Sequence, residues 1–202
     1  VSRIDHADAF PWLADQQPGP VVVSIPTATE VGMSPGDWDA WSTTAAEACL
    51  AVATNAEQPA VFIQTDRLAD GEWHSWPAKI AGITGWTFIW HKIALTRPPD
   101  HTDLHRPTYR HVIAAGIGRP GRRTPDVWYD GHRRWENGTG NITAWKAALW
   151  LAEHSTGTIL NPFAGSGTLI DAAEAEGRHA IGCDLDPQWA RPQTCGHGDT
   201  SD

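Results

Sequence analysis

What the chain has little of narrows its class first. Its 202 residues include three cysteines, Cys49, Cys183 and Cys195, scattered and odd in number. That pattern excludes a disulfide-stapled secreted scaffold and suits a reducing compartment. No run of about 18 apolar residues occurs and no signal peptide is visible, so no membrane partner is expected. The expectation is a soluble, cytoplasmic protein. Internal repeats and coiled-coil heptads are missing as well. A net charge of −9 excludes a protein that is basic all over. The one glycine-rich turn has no lysine after its last glycine, which excludes a P-loop. His101, His105, Cys195 and His197 have neither zinc-finger nor H-E-x-x-H spacing, so no metal site is expected. Ser166 stands in G-S-G without the flanking pattern of a nucleophile elbow, so no catalytic triad is expected around it.

What is present is more specific. The length suits one domain with a sizeable core. Tryptophan is abundant, twelve in all; its faces stack on bases, but packing accounts for most of them. Charge is unevenly spread. Between Arg97 and Arg134 stand eight arginines against four aspartates, a local excess of about +4 in an acidic chain. Such a stretch can meet phosphates; the alternative is a solvated loop whose arginines pair with nearby carboxylates.

The stretch Thr158 to Pro187 organises the rest. It reads T-I-L-N-P-F-A-G-S-G-T-L-I-D-A-A-E-A-E-G-R-H-A-I-G-C-D-L-D-P. Thr158–Leu160 is a short apolar strand, Phe163–Gly167 a glycine-rich turn, and Thr168–Glu176 a helix stopped by Gly177. Ala180–Cys183 is a second buried strand ending in Asp184. Glycine lets the backbone turn sharply and pass close to a ligand. An acidic residue after the next strand, about 20 residues on, is where a Rossmann-type site holds ribose hydroxyls. A purely structural βα turn is the alternative.

The wording N-P-F-A-G-S-G-T followed by G-C-D-L-D-P resembles the S-adenosylmethionine site of the DNA amino-methyltransferases, the adenine-N6 and cytosine-N4 methylases, over about ten positions. The resemblance implies S-adenosyl-L-methionine as cofactor, with Asn161, Phe163, Ala164, Gly165, Ser166, Gly167 and Thr168 shaping its pocket and Asp184 on its ribose. Asn161 stands where the family has Asp. The opening His6-Ala7-Asp8, with Leu13, is similar to the family's G-D-A-x-x-x-L, which implies Asp8 beside the adenine; helix capping by Asp8 fits equally.

Val21–Val23 leads into Ser24-Ile25-Pro26-Thr27, which is similar to the family's catalytic D/N/S-P-P-Y/F/W. In that tetrapeptide a side-chain oxygen and a carbonyl accept the two hydrogens of an exocyclic amine, and the aromatic stacks on the flipped base. Ser24 and Pro26 are retained, Ile25 replaces the first proline and Thr27 the aromatic. Trp38 or Trp41 could take over stacking, with helix packing as the other role for both. Phe-Ile-Trp-His-Lys (88–92) resembles a further family strand. Pro107–Gly116 resembles another, expected at the sheet's far edge, with Arg110 or His111 near the family's Glu. The methionine-end turn of the family is reduced here to Lys146.

The expected fold is a Rossmann-like α/β methyltransferase sheet, mostly parallel, with helices on both faces. Strands are expected near residues 1–4, 21–24, 60–64, 87–91, 111–115, 158–161 and 180–184. Helices are expected from a Ser34 cap to about Ala53, over His74–Ile83 with Gly85 closing it, and over Ala144–His154 capped by Thr143 or Asn141. Residues 1–190 form the methyltransferase domain, 97–140 its basic loops, and 191–202 a polar tail. The segment Ile117–Gly140 is too short for a target-recognition domain with its own core. The implied reaction is methyl transfer to an exocyclic amine of a nucleic-acid base, in DNA first and RNA second. Ser24, the Ile25 carbonyl and Pro26 would hold the amine. Two alternatives are a methylase-like protein that binds nucleic acid or cofactor without transfer, and a small-molecule methyltransferase.

Overall fold

Three successive valines with no polar alternation belong in a strand covered on both faces, and Val21–Val23 (β2) is buried at every position. In the computed structural model, which describes residues 2–69, 72–83, 88–101, 103, 107–118 and 125–191, this strand lies inside an eight-stranded sheet. Numbered in chain order, the neighbours run β1 (Arg3–His6), β10 (Ala180–Asp184), β9 (Ile159–Asn161), β2, β3 (Pro59–Gln64), β7 (Tyr109–Gly116), β6 (Phe88–Leu95) and β8 (Val127–Tyr129). The first five are parallel. β7 is antiparallel to both of its neighbours, and β8 pairs parallel to β6. A small antiparallel hairpin, β4 (Arg67–Ala69) and β5 (Glu72–His74), follows β3.

The period-two alternation of strand side chains sorts the core into two layers. Val21, Val23, Phe62, Ile113, Leu160 and Cys183 face α1 (Ala9–Asp15), α3 (Pro35–Asn55) and α4 (Trp76–Gly82). Val22, Val61, Ile63, Val112, Ile159 and Ala180 face α5 (Asn141–His154) and α6 (Thr168–Ala175). Full burial of such side chains contributes about 1.5–3 kcal/mol each. The expected architecture is thus present: a mostly parallel sheet with helices on both faces.

Several boundaries differ from expectation, each for a physical reason. β7 is interior rather than the far edge, because β6 and β8 extend the sheet beyond it. His74 belongs to β5, and α4 begins at Trp76 after Ser75. α5 starts at Asn141, with Gly140 at the cap. Neither expected cap serves there, since Asn141 Oδ1 accepts the His132 N–H at 2.8 Å and Thr143 Oγ1 accepts the Trp128 indole N–H at 3.0 Å. The Ser34 cap of α3 holds, its Oγ accepting the Asp37 N–H at 3.2 Å. Thr87, Gly85 and the polar tail from residue 192 onward lie outside the described residues. Among the described residues no helix is long and apolar enough to cross a membrane.

Past β3, Asp66 accepts the Trp76 backbone N–H at 2.8 Å and lies 2.9 Å from His111 Nε2, while His111 Nδ1 meets His91 Nε2 at 2.8 Å. Burial, then the neighbouring His111, holds the His91 imidazole below its ordinary range. The unfolded chain therefore binds a proton that the folded His91 resists, and stability falls as pH drops below about 6.5. His91→Gln should flatten this part of the slope, measured as urea midpoints from pH 7.5 to about 5; an unchanged slope would remove His91 from the account.

Candidate functional site

Five parallel strands end along one rim, so the residues just past them come together there. β9 and β2 are direct neighbours: Val21 pairs with Leu160, and the Leu160 N–H donates to the Pro20 carbonyl at 2.8 Å. The glycine turn after β9 and the tetrapeptide after β2 therefore emerge side by side. The sequence placed them together, and the register does so.

The turn is held by its backbone. The Ala164 N–H donates to the Cys183 carbonyl at 2.9 Å, Gly165 N–H to Asp184 Oδ2 at 2.8 Å, and Gly167 N–H to the Ala164 carbonyl at 2.9 Å. Gly165 and Gly167 adopt φ of +49° and +78°, which side chains on L-residues disfavour. Across the pairing, a Cβ on Gly182 would stand 2.8 Å from both Ala164 Cβ and the Asn161 carbonyl, so only glycine lets the turn lie this close to β10. Ser166 Oγ and Thr168 Oγ1 are 3.2 Å apart at the start of α6. Phe163 is half-buried, its ring 5.7 Å from that of Trp41, which in turn meets Phe10 at 6.1 Å.

Asp184 sits between two loops. One oxygen takes the Gly165 N–H, the other the Asp186 N–H at 2.9 Å, and each keeps acceptor capacity. Its carbonyl accepts the Ala7 N–H at 3.1 Å, which draws the β1–α1 turn alongside. Asp8 on that turn is exposed and caps α1, accepting the Phe10 N–H at 3.0 Å. Asn161 is wholly buried, yet neither amide atom has a partner among the described residues. A buried amide without hydrogen bonds costs about 1–3 kcal/mol, and an orphan of this kind at the head of the turn fits a polar ligand group.

The tetrapeptide divides its duties. Ser24 is half-buried, and its hydroxyl makes no hydrogen bond with a described residue. Ile25 is 3% exposed and packs in the α1–α3 layer. Pro26 offers its carbonyl to the Trp38 indole N–H at 2.8 Å. Thr27 stands where an aromatic would, and here it starts the short helix α2 (Ala28–Val31) through a capping box with Glu30. Trp38 is not free to stack on a base. It is 4% exposed, with the Lys79 ammonium 5.3 Å and the Arg67 guanidinium 5.5 Å from its ring centroid.

Sequence reasoning missed the segment that closes over the turn. Trp135 would touch a Cβ on Gly165 at 3.8 Å, and its ring lies 6.1 Å from that of Trp189. Arg134 donates to the Ser166 carbonyl at 3.2 Å and pairs with Asp171, which also pairs with Arg191 at 2.8 Å. A hollow of about 450 Å³ borders this segment at Gly131, His132, Arg133, Trp135 and Glu136. A larger groove of about 740 Å³ runs between α3 and α4, past Asp39, Trp73, His74 and Lys79; no residue expected at the site lines it. The strand ends, not the larger groove, mark the place where the expected residues converge. The only early signal of the closing segment was its charge, and charge alone does not name a partner.

The described arginines of the basic stretch are largely engaged within the fold. Arg110 is buried, 3.5 Å from Asp130 and donating to the Gly138 carbonyl at 2.9 Å. Arg133 donates to the Glu136 carbonyl at 2.8 Å. Arg106, Arg119, Arg122 and Arg123, like His105, Cys195 and His197, lie outside the described residues. Lys146 turns outward, over the rings of Trp128 and Trp145.

Comparison with known proteins agrees with this arrangement. Residues 146–193 match the DNA methylase family of the N6 and N4 type. TTHA0409 of Thermus thermophilus, which carries the name of a DNA modification methylase, superposes with a TM-score of 0.70 at 20% identity, over 94% of this chain and 91% of that one. The M1.HpyAVI complex with S-adenosylmethionine gives 0.61 at 14% identity, covering 94% and 96%. The cytosine-N4-specific PvuII DNA methyltransferase gives 0.67 at 11%, covering 93% and 83%. No curated protein sequence matches the chain. The fold is that of the S-adenosylmethionine-dependent methyltransferases, and the resemblance read from the glycine turn holds.

Because the Asn161 amide gains no bond among the described residues, Asn161→Leu should leave urea stability unchanged or raise it by about 1 kcal/mol. A loss of more than about 1 kcal/mol would mean that the amide is bonded within the protein.

Proposed function

We propose that residues 1–190 form one S-adenosylmethionine-dependent N-methyltransferase domain that methylates an exocyclic amine of a nucleic-acid base, in DNA before RNA. The observation that carries this reading is the neighbouring exit of the glycine turn and of Ser24 from β9 and β2. The residues present fit the cofactor. The turn takes positive φ at Gly165 and Gly167, Asp184 keeps acceptor capacity for ribose hydroxyls, and the orphaned Asn161 amide stands at its head.

Bound there, S-adenosylmethionine supplies a methyl group activated by its sulfonium. The protein's part is alignment and hydrogen bonding. Phe163, Ala164, Gly165, Ser166, Gly167 and Thr168 shape the pocket, and Asp8 lies towards the adenine. An exocyclic amine is a poor nucleophile because its lone pair is delocalised into the ring. Ser24 Oγ, unbonded among the described residues, and the Ile25 carbonyl accept its two hydrogens and draw that lone pair towards the methyl carbon, while Pro26 restrains the backbone just after them. With Thr27 committed to capping α2, the base is held by these hydrogen bonds without the usual stacking ring.

Calorimetry should show binding of S-adenosylmethionine and of its demethylated product, weakened by Asp184→Asn. Labelled methyl groups should pass to DNA more than to RNA or a metabolite extract. Ser24→Ala should lower transfer about 100-fold with cofactor affinity unchanged. Transfer to the metabolite extract alone would replace the nucleic-acid substrate with a small molecule, and full activity in Ser24→Ala would remove its role.

A further inference from the structure

The tetrapeptide has lost one proline, and the structure contains a replacement for the rigidity that proline supplied. The Ile25 carbonyl must point at the amine. The orientation of that peptide unit depends on φ and ψ of Ile25 on the β2 side, φ being the torsion that the missing proline would fix, and on the two torsions of Pro26 on the α2 side. Standing before a proline restricts Ile25 to extended backbone, and the Pro26 ring fixes its own φ. On the α2 side the remaining free torsion is ψ of Pro26, which turns the Ile25–Pro26 unit relative to the Pro26 carbonyl. That carbonyl accepts the Trp38 indole N–H at 2.8 Å.

Trp38 is itself immobilised to an unusual degree. It is 4% exposed, meets Trp76 edge-to-face at 6.1 Å, and carries Lys79 and Arg67 against its ring. Lys79 is anchored in turn by Asp39 at 2.8 Å and Ser42 Oγ at 2.7 Å, both on α3. On the far side of the tetrapeptide, Thr27 closes its capping box with Glu30. The segment is thus pinned at Pro26 and at Thr27, immediately after the carbonyl that matters.

We infer that Trp38 is a positioning residue: its indole N–H locks the Pro26 carbonyl and so aims the Ile25 carbonyl, replacing the missing proline of the tetrapeptide. The inference rests on the reading of Ser24–Thr27 as the amine-holding segment. It assigns Trp38 no contact with substrate.

Trp38→Phe keeps an aromatic side chain in the layer and removes the donor, together with the pyrrole half of the indole. Hydrogen–deuterium exchange should then rise about tenfold at the Thr27 and Ala28 amides, with α3 beyond Ser42 still protected. In the transfer assay kcat should fall about tenfold with KM for the cofactor unchanged. Ile25→Pro added to Trp38→Phe should restore at least half of the lost kcat, which a merely structural role for Trp38 would not allow. Unchanged exchange at Thr27 and Ala28 overturns the inference, whether or not the wild type transfers methyl. Rescue failing while exchange rises also overturns it, because the lock would exist without aiming anything. A wild type that shows the exchange effect but no transfer to any acceptor sinks the methyltransferase reading and leaves Trp38 as a lock on that segment.

Discussion

The parallel pairing of β9 with β2 is the constraint on which the rest depends. It is brief, one registered pair and a bond from Leu160 to Pro20, yet it joins segments that lie far apart in the sequence. Shifting it by one residue would turn Leu160 from the α3 layer to the α5 layer, and the core forbids that. Because the register cannot slip, the turn after Asn161 and the segment after Val23 stay level with each other.

Close approach of backbones then does what side chains do elsewhere. Gly182 allows Ala164 to lie on β10, the Cys183 carbonyl and the Asp184 carboxylate tie down the Ala164 and Gly165 amides, and the same aspartate reaches the turn at Asp186. Three loops are held by one short strand end. The cost is visible at Asn161, a buried amide with nothing to bond. Buried polar groups left without partners are places where function departs from folding.

Most of the fold was legible because its signals are local. Strand–turn–helix–strand between Thr158 and Asp184 follows from glycine conformation and apolar runs, and the Ser34 and Asp8 caps follow from short-range hydrogen bonding. Two of the errors share a cause: they concern partners beyond the reach of a local motif. That β7 is interior depends on where β8 docks. That Asn141 and Thr143 do not cap α5 depends on His132 and Trp128 claiming their oxygens first. The neighbouring exits of Ser24 and the glycine turn were legible from wording. The clamp of Arg134 and Arg191 on Asp171 was not, since a charged side chain in a polar stretch gives no hint of its mate.

Sheet order also bears on how the molecule comes into being. β1 is the first strand of the sheet to be synthesised, but its neighbour β10 is the last, with Arg3 registered against Ile181. β2 likewise waits for β9. Until then β1 and the apolar β2 have open hydrogen-bonding edges, and closure has to span most of the sheet's sequence. Contacts so distant in sequence slow folding and expose nascent chains to mispairing. An arrangement that puts the Ser24 strand ahead of the glycine turn therefore makes the meeting of the two one of the latest events in the birth of the sheet.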